Sequence, residues 1–127
     1  MMALLSIKPF FAEKIFSGEK KVEFRKSSFK QSITTVLLYA TMPVGKVVGQ
    51  FEIETILCDN PAKLWIETKD IAGISLDIFN KYFYGRNIAY GIKIKHVIQY
   101  PVPFDPYLKF PNFIPPQSFR YVSNLIF

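Results

Sequence analysis

The strand-like stretches of this chain are joined by connections that seldom allow a crossover between parallel strands. Alternating or β-branched sequence predicts strands over residues 3–8, 20–26, 34–41, 46–57 and 88–97. A parallel α/β sheet needs a dozen or more residues, usually including a helix, between successive strands. The spacing therefore favours an α+β fold: a mixed or antiparallel β-barrel of five or more strands with short flanking helices.

Short helices are predicted at the junctions of these strands. Pro9 suits the first turn of a helix over residues 9–17, and a second helix is predicted over residues 61–67. Ser75 can cap a third helix over residues 75–84. These helices are too short to form a separate layer, so we expect them to pack at the ends of the barrel.

The length and composition predict a single domain over residues 1–127. Half of the residues are apolar and 17% are aromatic, which suffices for a core. Six of the nine prolines lie between residues 101 and 116, with aromatic residues among them. We expect the Pro- and Phe-rich segment 101–127 to pack on the domain, because its rings would otherwise be exposed to water. Pro115-Pro116 predicts a last helical turn before residue 122, capped by Gln117, Ser118 or Arg120. The alternative is that the segment folds across the domain and brings these three residues to a cleft.

The net charge of +6 is concentrated at the two ends of the chain. Residues 1–30 carry seven basic and three acidic side chains, and residues 91–127 carry four and one. Clustered positive charge attracts phosphate at long range and suits an anionic partner. A soluble protein kept away from neutrality has the same composition, so charge alone leaves both interpretations open.

Several classes of protein are excluded by the same sequence. No apolar run reaches the roughly 18 residues of a membrane span, and the N-terminal sequence lacks the basic segment of a signal peptide. Cys58 and His96 are the only residues of their kinds, which excludes a zinc site built from Cys and His. We therefore expect a cytoplasmic protein with no metal, no cofactor and no membrane partner, and the oligomeric state is left open.

The segment Gly18-Glu19-Lys20-Lys21-Val22-Glu23-Phe24-Arg25-Lys26 contains the most informative candidate site. Strand alternation places Glu23 and Arg25 on one face, and Lys20 at the preceding turn can join them. A guanidinium held by a carboxylate beside an ammonium can grip a phosphate or the edge of a planar base. An ordinary solvated Glu–Arg pair has the same spacing. We expect a surface pair whose loss changes stability by only about 0–1 kcal/mol.

With its flanking elements, this motif resembles the ASCH domain, a member of the PUA-like superfamily. The matching features are Ser6-Ile7-Lys8-Pro9, the pattern Gly18-x-Lys20-x-x-Glu23-x-Arg25, the strand pair over residues 36–40 and 47–53, Gly73-Ile74-Ser75, and the strand over residues 90–95. The resemblance covers residues 3 to about 100. The ending Pro-Pro-Gln-Ser-Phe-Arg-Tyr is similar to the tail of ASCH proteins described as predicted transcriptional regulators.

The resemblance implies a β-barrel with a basic cleft beside it, in which relatives of the superfamily bind RNA or modified bases. Lys20, Glu23 and Arg25 match the cleft motif, and Ser6 and Lys8 match the end of the first strand, which should border the cleft. We therefore predict a nucleic-acid-binding module that holds RNA or a modified nucleotide and acts in transcription or RNA regulation.

A small hydrolase is the alternative that the resemblance leaves open. Some ASCH proteins resemble amidohydrolases of N4-acetylcytidine, with a Lys base, a Thr nucleophile and a Glu acid, and others resemble ribonucleases. Lys20 matches the Lys, but Glu23 stands where the Thr would be, and no Glu precedes Gly73 at the matching position. We favour binding over catalysis; a hydrolase would use Lys20 and Glu23. A third possibility is an interaction domain that uses the Pro- and Phe-rich segment.

Overall fold

The structure, a computed structural model, describes residues 1–123. Its strands and helices are β1 (Met2–Ile7), α1 (Pro9–Ser17), β2 (Val22–Arg25), β3 (Thr35–Ala40), β4 (Lys46–Asp59), α2 (Pro61–Thr68), α3 (Leu76–Tyr82), β5 (Ala89–Phe104), α4 (Pro106–Lys109) and β6 (Phe119–Val122). The first three helices lie where the sequence predicts them, within two residues at each end.

The six strands of residues 1–123 form one mixed sheet in the order β2-β5-β4-β3-β1-β6. β1 and β3 run parallel, and the other neighbouring strands run antiparallel. The sheet curls into a half-barrel. Three strands separate β2 from β1 within the sheet, yet Arg25 at the end of β2 donates a hydrogen bond to the carbonyl of Ser6 in β1 at 2.8 Å. The predicted α+β fold with a mixed barrel of five or more strands is confirmed.

The parallel pair has the long connection that a crossover requires. Residues 8–34, between β1 and β3, contain α1 and β2. The crossover leaves α1 against the sheet, with Ala12 and Ile15 buried in the same cluster as residues of β1 and β3. As a result, the turn that follows α1 and the start of β2 lie close to the end of β1, where the candidate site forms.

Both faces of the sheet are covered by apolar residues. Leu5 and Leu38 lie in the cluster that contains α1, whereas the adjacent Leu4 and Leu37 belong to a cluster on the opposite face. A further cluster packs α2 and α3 against β2. Its buried members are Val22, Phe24, Leu64, Ala72, Phe79, Phe83 and Ala89. This cluster anchors one face of β2, so the position of the other face is fixed as well.

After α4, the chain adds a further strand to the sheet instead of the predicted helical turn. The predicted helical turn before residue 122 is wrong, because Phe119–Val122 is β6, which pairs antiparallel with β1. The free edge of β1 offers backbone hydrogen bonds that a single helical turn could not replace. Tyr107, in α4, forms a 2.7 Å hydrogen bond with the hydroxyl of Tyr39. Residues 124–127, which belong to the segment predicted to pack, lie outside the described residues.

Among the helices of residues 1–123, none combines the length and the apolar character that crossing a bilayer requires.

Candidate functional site

A cleft of about 360 Å³ opens between α1, β2 and α3, beside the end of β1. All five side chains that the sequence singles out line it: Ser6, Lys8, Lys20, Glu23 and Arg25. These five residues belong to β1, to β2 and to the connections on either side of α1. That these residues bind a ligand stays a prediction.

The turn after α1 places Lys20 at the floor of this cleft. Gly18 ends α1 with a left-handed backbone, φ +84°, and its N–H donates to the carbonyl of Ile15 at 3.2 Å. The N–H of Lys20 then donates to the carbonyl of Lys14 at 3.0 Å. The chain therefore folds back under its own helix before β2 begins, and the Lys20 side chain lies beneath α1.

Glu23 lies between the two cations and pairs with both. Its Oε2 accepts hydrogen bonds from Nη2 and Nε of Arg25 at 2.7 and 3.0 Å. Its Oε1 lies 3.5 Å from Nζ of Lys20. The Lys20–Glu23–Arg25 cluster therefore has two positive charges on one carboxylate when Lys20 is protonated, and it attracts an anion.

The predicted surface character of this cluster is wrong. The side chains of Lys20, Glu23 and Arg25 are only 3%, 7% and 11% exposed. The apolar face of β2 packs against α2 and α3, as its alternation predicts, but the polar face is also covered, because Phe11 and Tyr82 line the same cleft from α1 and α3. A buried cluster cannot be treated as a surface pair worth about 0–1 kcal/mol.

Lys20 lies in the least solvated environment of the three. Burial lowers its pKa, the charge of Glu23 opposes that effect, and the nearby charges of Arg25 and Lys14 lower the pKa further. Its Nζ lies 3.4 Å from the carbonyl of Ala72 and 4.8 Å from the centre of the Phe24 ring. Lys20 thus loses its proton more readily than a solvated lysine does.

The floor has unused donors, and Oε1 of Glu23 keeps acceptor capacity beside them. Arg25 uses Nε and Nη2 on Glu23 and Ser6, and within residues 1–123 its Nη1 has no hydrogen-bond partner. Nζ of Lys20 makes two long contacts, with the Glu23 carboxylate and with the Ala72 carbonyl. One of the three hydrogens of the protonated ammonium is therefore left for a ligand. A ligand group that accepts, such as a phosphate oxygen or a base carbonyl, can therefore bind the donors of this floor.

The walls of the cleft are apolar and aromatic, and their residues are not among the predicted site residues. They are formed by Phe11, Phe24, Ile74, Ile78 and Tyr82. Ile74, Ile78 and Tyr82 follow one another at intervals of four residues. This spacing could have indicated that the three side chains share one face, with Ile74 just before α3 and the other two within it. That same spacing is typical of an ordinary core stripe, so the sequence alone gave no reason to place it at a cleft. Such walls suit a flat ring above a polar floor.

Residues 116–118 of the C-terminal segment lie beside the cleft. The hydroxyl of Ser6 donates to the carbonyl of Pro116 at 2.6 Å, and the N–H of Ser6 donates to the carbonyl of Ser118 at 3.0 Å. Gln117, which lies between these two contacts, lines the cleft rather than capping a helix as predicted. Ser6 therefore tethers this segment, whereas Lys8 is exposed at the rim.

No cluster of three or more His, Cys, Asp or Glu side chains arranged to hold a metal ion occurs in the part of the chain that the structure describes. The Lys20–Glu23–Arg25 cluster offers one amine, one carboxylate and one guanidinium. Further polar side chains line the cleft around it: Ser6, Lys8, Thr41, Tyr82 and Gln117.

Comparison with known proteins places these features in context. The family model of the ASCH domain matches residues 5–103. The chain is 32% identical over 125 residues to the ASCH domain-containing ribonuclease of Zymomonas mobilis, which covers 96% of this chain and 84% of that protein. The crystal structure of ASCH from Zymomonas mobilis has a TM-score of 0.90 and 29% identity, and the match covers 98% of this chain and 90% of that one.

The N-terminal domain of Staphylothermus marinus McrB has a TM-score of 0.53 and 13% identity, and the match covers 89% of this chain and 80% of that one. This likeness concerns the fold alone.

Proposed function

This chain belongs to the ASCH domain family, and we propose that it binds RNA, or a modified nucleotide, in the cleft above Lys20, Glu23 and Arg25. The observation that carries the proposal is the floor of the cleft, where two cationic side chains share the one carboxylate of Glu23 and Nη1 of Arg25 has no hydrogen-bond partner in the described residues. The relative from Zymomonas mobilis that is named a ribonuclease supports RNA as the class of ligand.

The charges and walls of the cleft match the two parts of a nucleotide. The donors of the floor fit a phosphate oxygen or the carbonyl edge of a base, and the aromatic and apolar walls fit the faces of a base. Lys8 at the rim and the basic excess over residues 1–30 would attract the neighbouring phosphates. A role in transcription or RNA regulation, in the cytoplasm, belongs to the same proposal.

A binding titration tests the proposal directly. A fluorescently labelled single-stranded RNA is titrated with the parent protein and with Arg25→Ala, and fluorescence anisotropy reports the affinity. Lys93→Ala is the matched control, because Lys93 is also paired with a glutamate, Glu54, but lies on an exposed part of the sheet. The proposal requires a large loss for Arg25→Ala and little change for Lys93→Ala. Equal affinities in all three proteins would place any RNA site elsewhere.

Hydrolysis of RNA is the second candidate, and it is favoured by the name of the relative together with the environment of Lys20. A neutral Lys20 amine could accept the proton of a ribose 2′-hydroxyl as that oxygen attacks the adjacent phosphorus. The P–O5′ bond would break, leaving a 2′,3′-cyclic phosphate and a free 5′-hydroxyl, while Arg25 stabilises the charge on the phosphoryl oxygens. Glu23 would keep both side chains in position or exchange a proton with Lys20.

Product analysis separates this candidate from binding alone. Parent protein and Lys20→Met are incubated with RNA, and mass spectrometry searches for fragments that end in a 2′,3′-cyclic phosphate. Fragments produced by the parent and not by Lys20→Met support the nuclease; intact RNA in both incubations supports binding. A parallel incubation with N4-acetylcytidine tests the amidohydrolase, because that activity would release cytidine.

A further inference from the structure

The loop between α2 and α3 holds Lys20 through its backbone. The carbonyl of Ile71 accepts from the N–H of Lys21 at 2.9 Å, and the carbonyl of Ala72 lies 3.4 Å from Nζ of Lys20. Directly after them, Gly73 packs against the Lys20 main chain and the first carbon of its side chain. Three consecutive residues of this loop therefore contact Lys20 or its neighbour.

Gly73 is required at this position for two independent reasons. Its φ is +66°, a left-handed backbone that other residues adopt at a cost. In addition, a Cβ on residue 73 would lie 2.6 Å from Cβ and 2.7 Å from Cα of Lys20. Carbon atoms in contact are normally about 3.5–4.0 Å apart, so an added methyl group would separate the loop from Lys20 by about 1 Å. The atoms in the way belong to the start of Lys20, which cannot rotate aside.

We infer that Gly73 is a positioning residue for the ligand cleft, because the absence of a side chain there lets the loop seat Lys20 and hold its ammonium beside Glu23. This inference rests on the proposed function for the ligand, but the seat itself is a property of the protein alone. Sites of this kind tolerate displacements of only about 0.5 Å, so a shift of about 1 Å is expected to weaken binding.

The charged groups that face Lys20 are Glu23 and Arg25 from β2 and Lys14 from α1, and the loop adds the Ala72 carbonyl. Displacing the loop would remove that carbonyl and admit water to the amine. Burial is the main cause of the lowered pKa of Lys20, so a looser seat should move that pKa back toward the value of a solvated lysine.

The test uses two glycines that share a backbone conformation and differ in their surroundings. Gly85 has φ +76° and no atom within 4 Å of the position that a Cβ would occupy. Gly73→Ala and Gly85→Ala therefore carry the same kind of backbone strain, but only Gly73→Ala meets Lys20. We expect RNA affinity to fall by about tenfold or more for Gly73→Ala and by less than about twofold for Gly85→Ala.

A second readout does not depend on RNA. With ¹³Cε-labelled lysine, NMR follows the titration of Lys20, whose signal is assigned by its loss in Lys20→Met. The inference requires a higher pKa of Lys20 in Gly73→Ala than in the parent, and an unchanged pKa in Gly85→Ala. If Gly73→Ala does not fold, Gly73→Asn and Gly85→Asn replace the pair, because asparagine tolerates the left-handed backbone and still carries a Cβ.

The two readouts separate failure of this inference from failure of the proposed function. If Gly73→Ala leaves both the Lys20 titration and RNA affinity like those of Gly85→Ala, the seat is wrong and RNA binding stands. If the parent does not bind RNA but the Lys20 titration shifts only in Gly73→Ala, the seat stands and the proposed ligand is wrong.

Discussion

Two ion pairs in this protein have nearly the same contact distance and opposite surroundings. In the cleft floor, Nζ of Lys20 lies 3.5 Å from Glu23, and the two side chains are 3% and 7% exposed. On the outer part of the sheet, Nζ of Lys93 lies 3.3 Å from Glu54, and those side chains are 36% and 51% exposed. The two pairs lie one strand apart, since Val22 of β2 pairs with Lys93 of β5.

Burial, and not the contact distance, determines how much an ion pair contributes to stability. The exposed pair is screened by water and contributes little. The buried cluster loses the hydration of three charged groups, and its mutual attraction does little more than offset that loss. Such a cluster is weak evidence for stability, and we propose that it serves a ligand of the cleft.

We propose that residues 1–127 form one folding unit, which contains both ion pairs. Tyr107 and β6 connect the segment after Tyr100 to β3 and β1. Limited proteolysis should therefore give no stable fragment that ends near Tyr100, and a chain truncated there should not fold. A protease-resistant fragment of residues 1–100 with the parent's circular dichroism would show that the segment is dispensable.

The largest effect of a single substitution is expected at Glu23. Glu23→Gln leaves Lys20 and Arg25 buried without their shared anion, and breaking a buried pair in this way costs about 3–5 kcal/mol. Glu54→Gln, the matched change in the exposed pair, should cost less than about 1 kcal/mol. Urea denaturation followed by circular dichroism measures both. Similar losses in the two variants would remove the distinction between the two regions.

Arg25 should affect RNA affinity more than any residue of the exposed pair. Glu23 and Ser6 already engage Nε and Nη2, so a ligand meets Nη1. Losing that charged hydrogen bond is expected to weaken binding by about 1.5–3 kcal/mol, or about 10- to 150-fold. Arg25→Lys keeps the charge but not the planar fork, so its affinity should lie between those of the parent and Arg25→Ala. Because Arg25 is buried, Arg25→Ala should also lower the melting temperature. Anisotropy titrations well below that temperature separate the two effects.

The grouping of the site residues followed from the sequence because it depends on local rules. Gly18 ends a helix, and strand alternation puts Glu23 and Arg25 on one face of β2. Lys20 lies in the turn between that helix and that strand. These relations span eight residues and need no knowledge of the rest of the chain. The fold class followed in the same way, from strand patterns and the lengths of the connections.

The burial of the site and the structure of the C-terminal segment depend on distant contacts, and the sequence predicts neither. Tyr82 covers the cleft from α3, and Ser6 bonds to Pro116, 110 residues away. Local preference around Pro115-Pro116 favours a helical start, but the open edge of β1 determines the outcome, and Phe119–Val122 forms a strand. The same contact brings Gln117 to the cleft.

The pH dependence of stability tests the environment of Lys20. Burial lowers the pKa of Lys20 below the 10.5 of an ordinary lysine. Between these two pKa values the unfolded chain binds more protons than the folded protein, so this residue makes the free energy of unfolding rise with pH. The rise is at most about 1.4 kcal/mol per pH unit. The difference in unfolding free energy between the parent and Lys20→Met, measured by urea denaturation from about pH 7 upward, should therefore increase with pH. A difference that does not change with pH would show that the pKa of Lys20 is not lowered.

The smallest expected effect, a change in salt dependence, decides which part of a nucleotide Arg25 contacts. If two or three phosphates are neutralised, the slope of log affinity against log salt should be roughly −1.4 to −2.1 for single-stranded RNA, at about 0.7 for each phosphate. Arg25→Ala should make the slope shallower by about 0.7 if Arg25 meets a phosphate, and should leave it unchanged if Arg25 meets a base edge, because a base contact releases no counterion. Lys93→Ala should leave the slope unchanged in both cases, since Lys93 already faces Glu54. A slope that becomes shallower by the same amount in both variants would mean that RNA follows the outer sheet, and the buried cluster would then need another explanation.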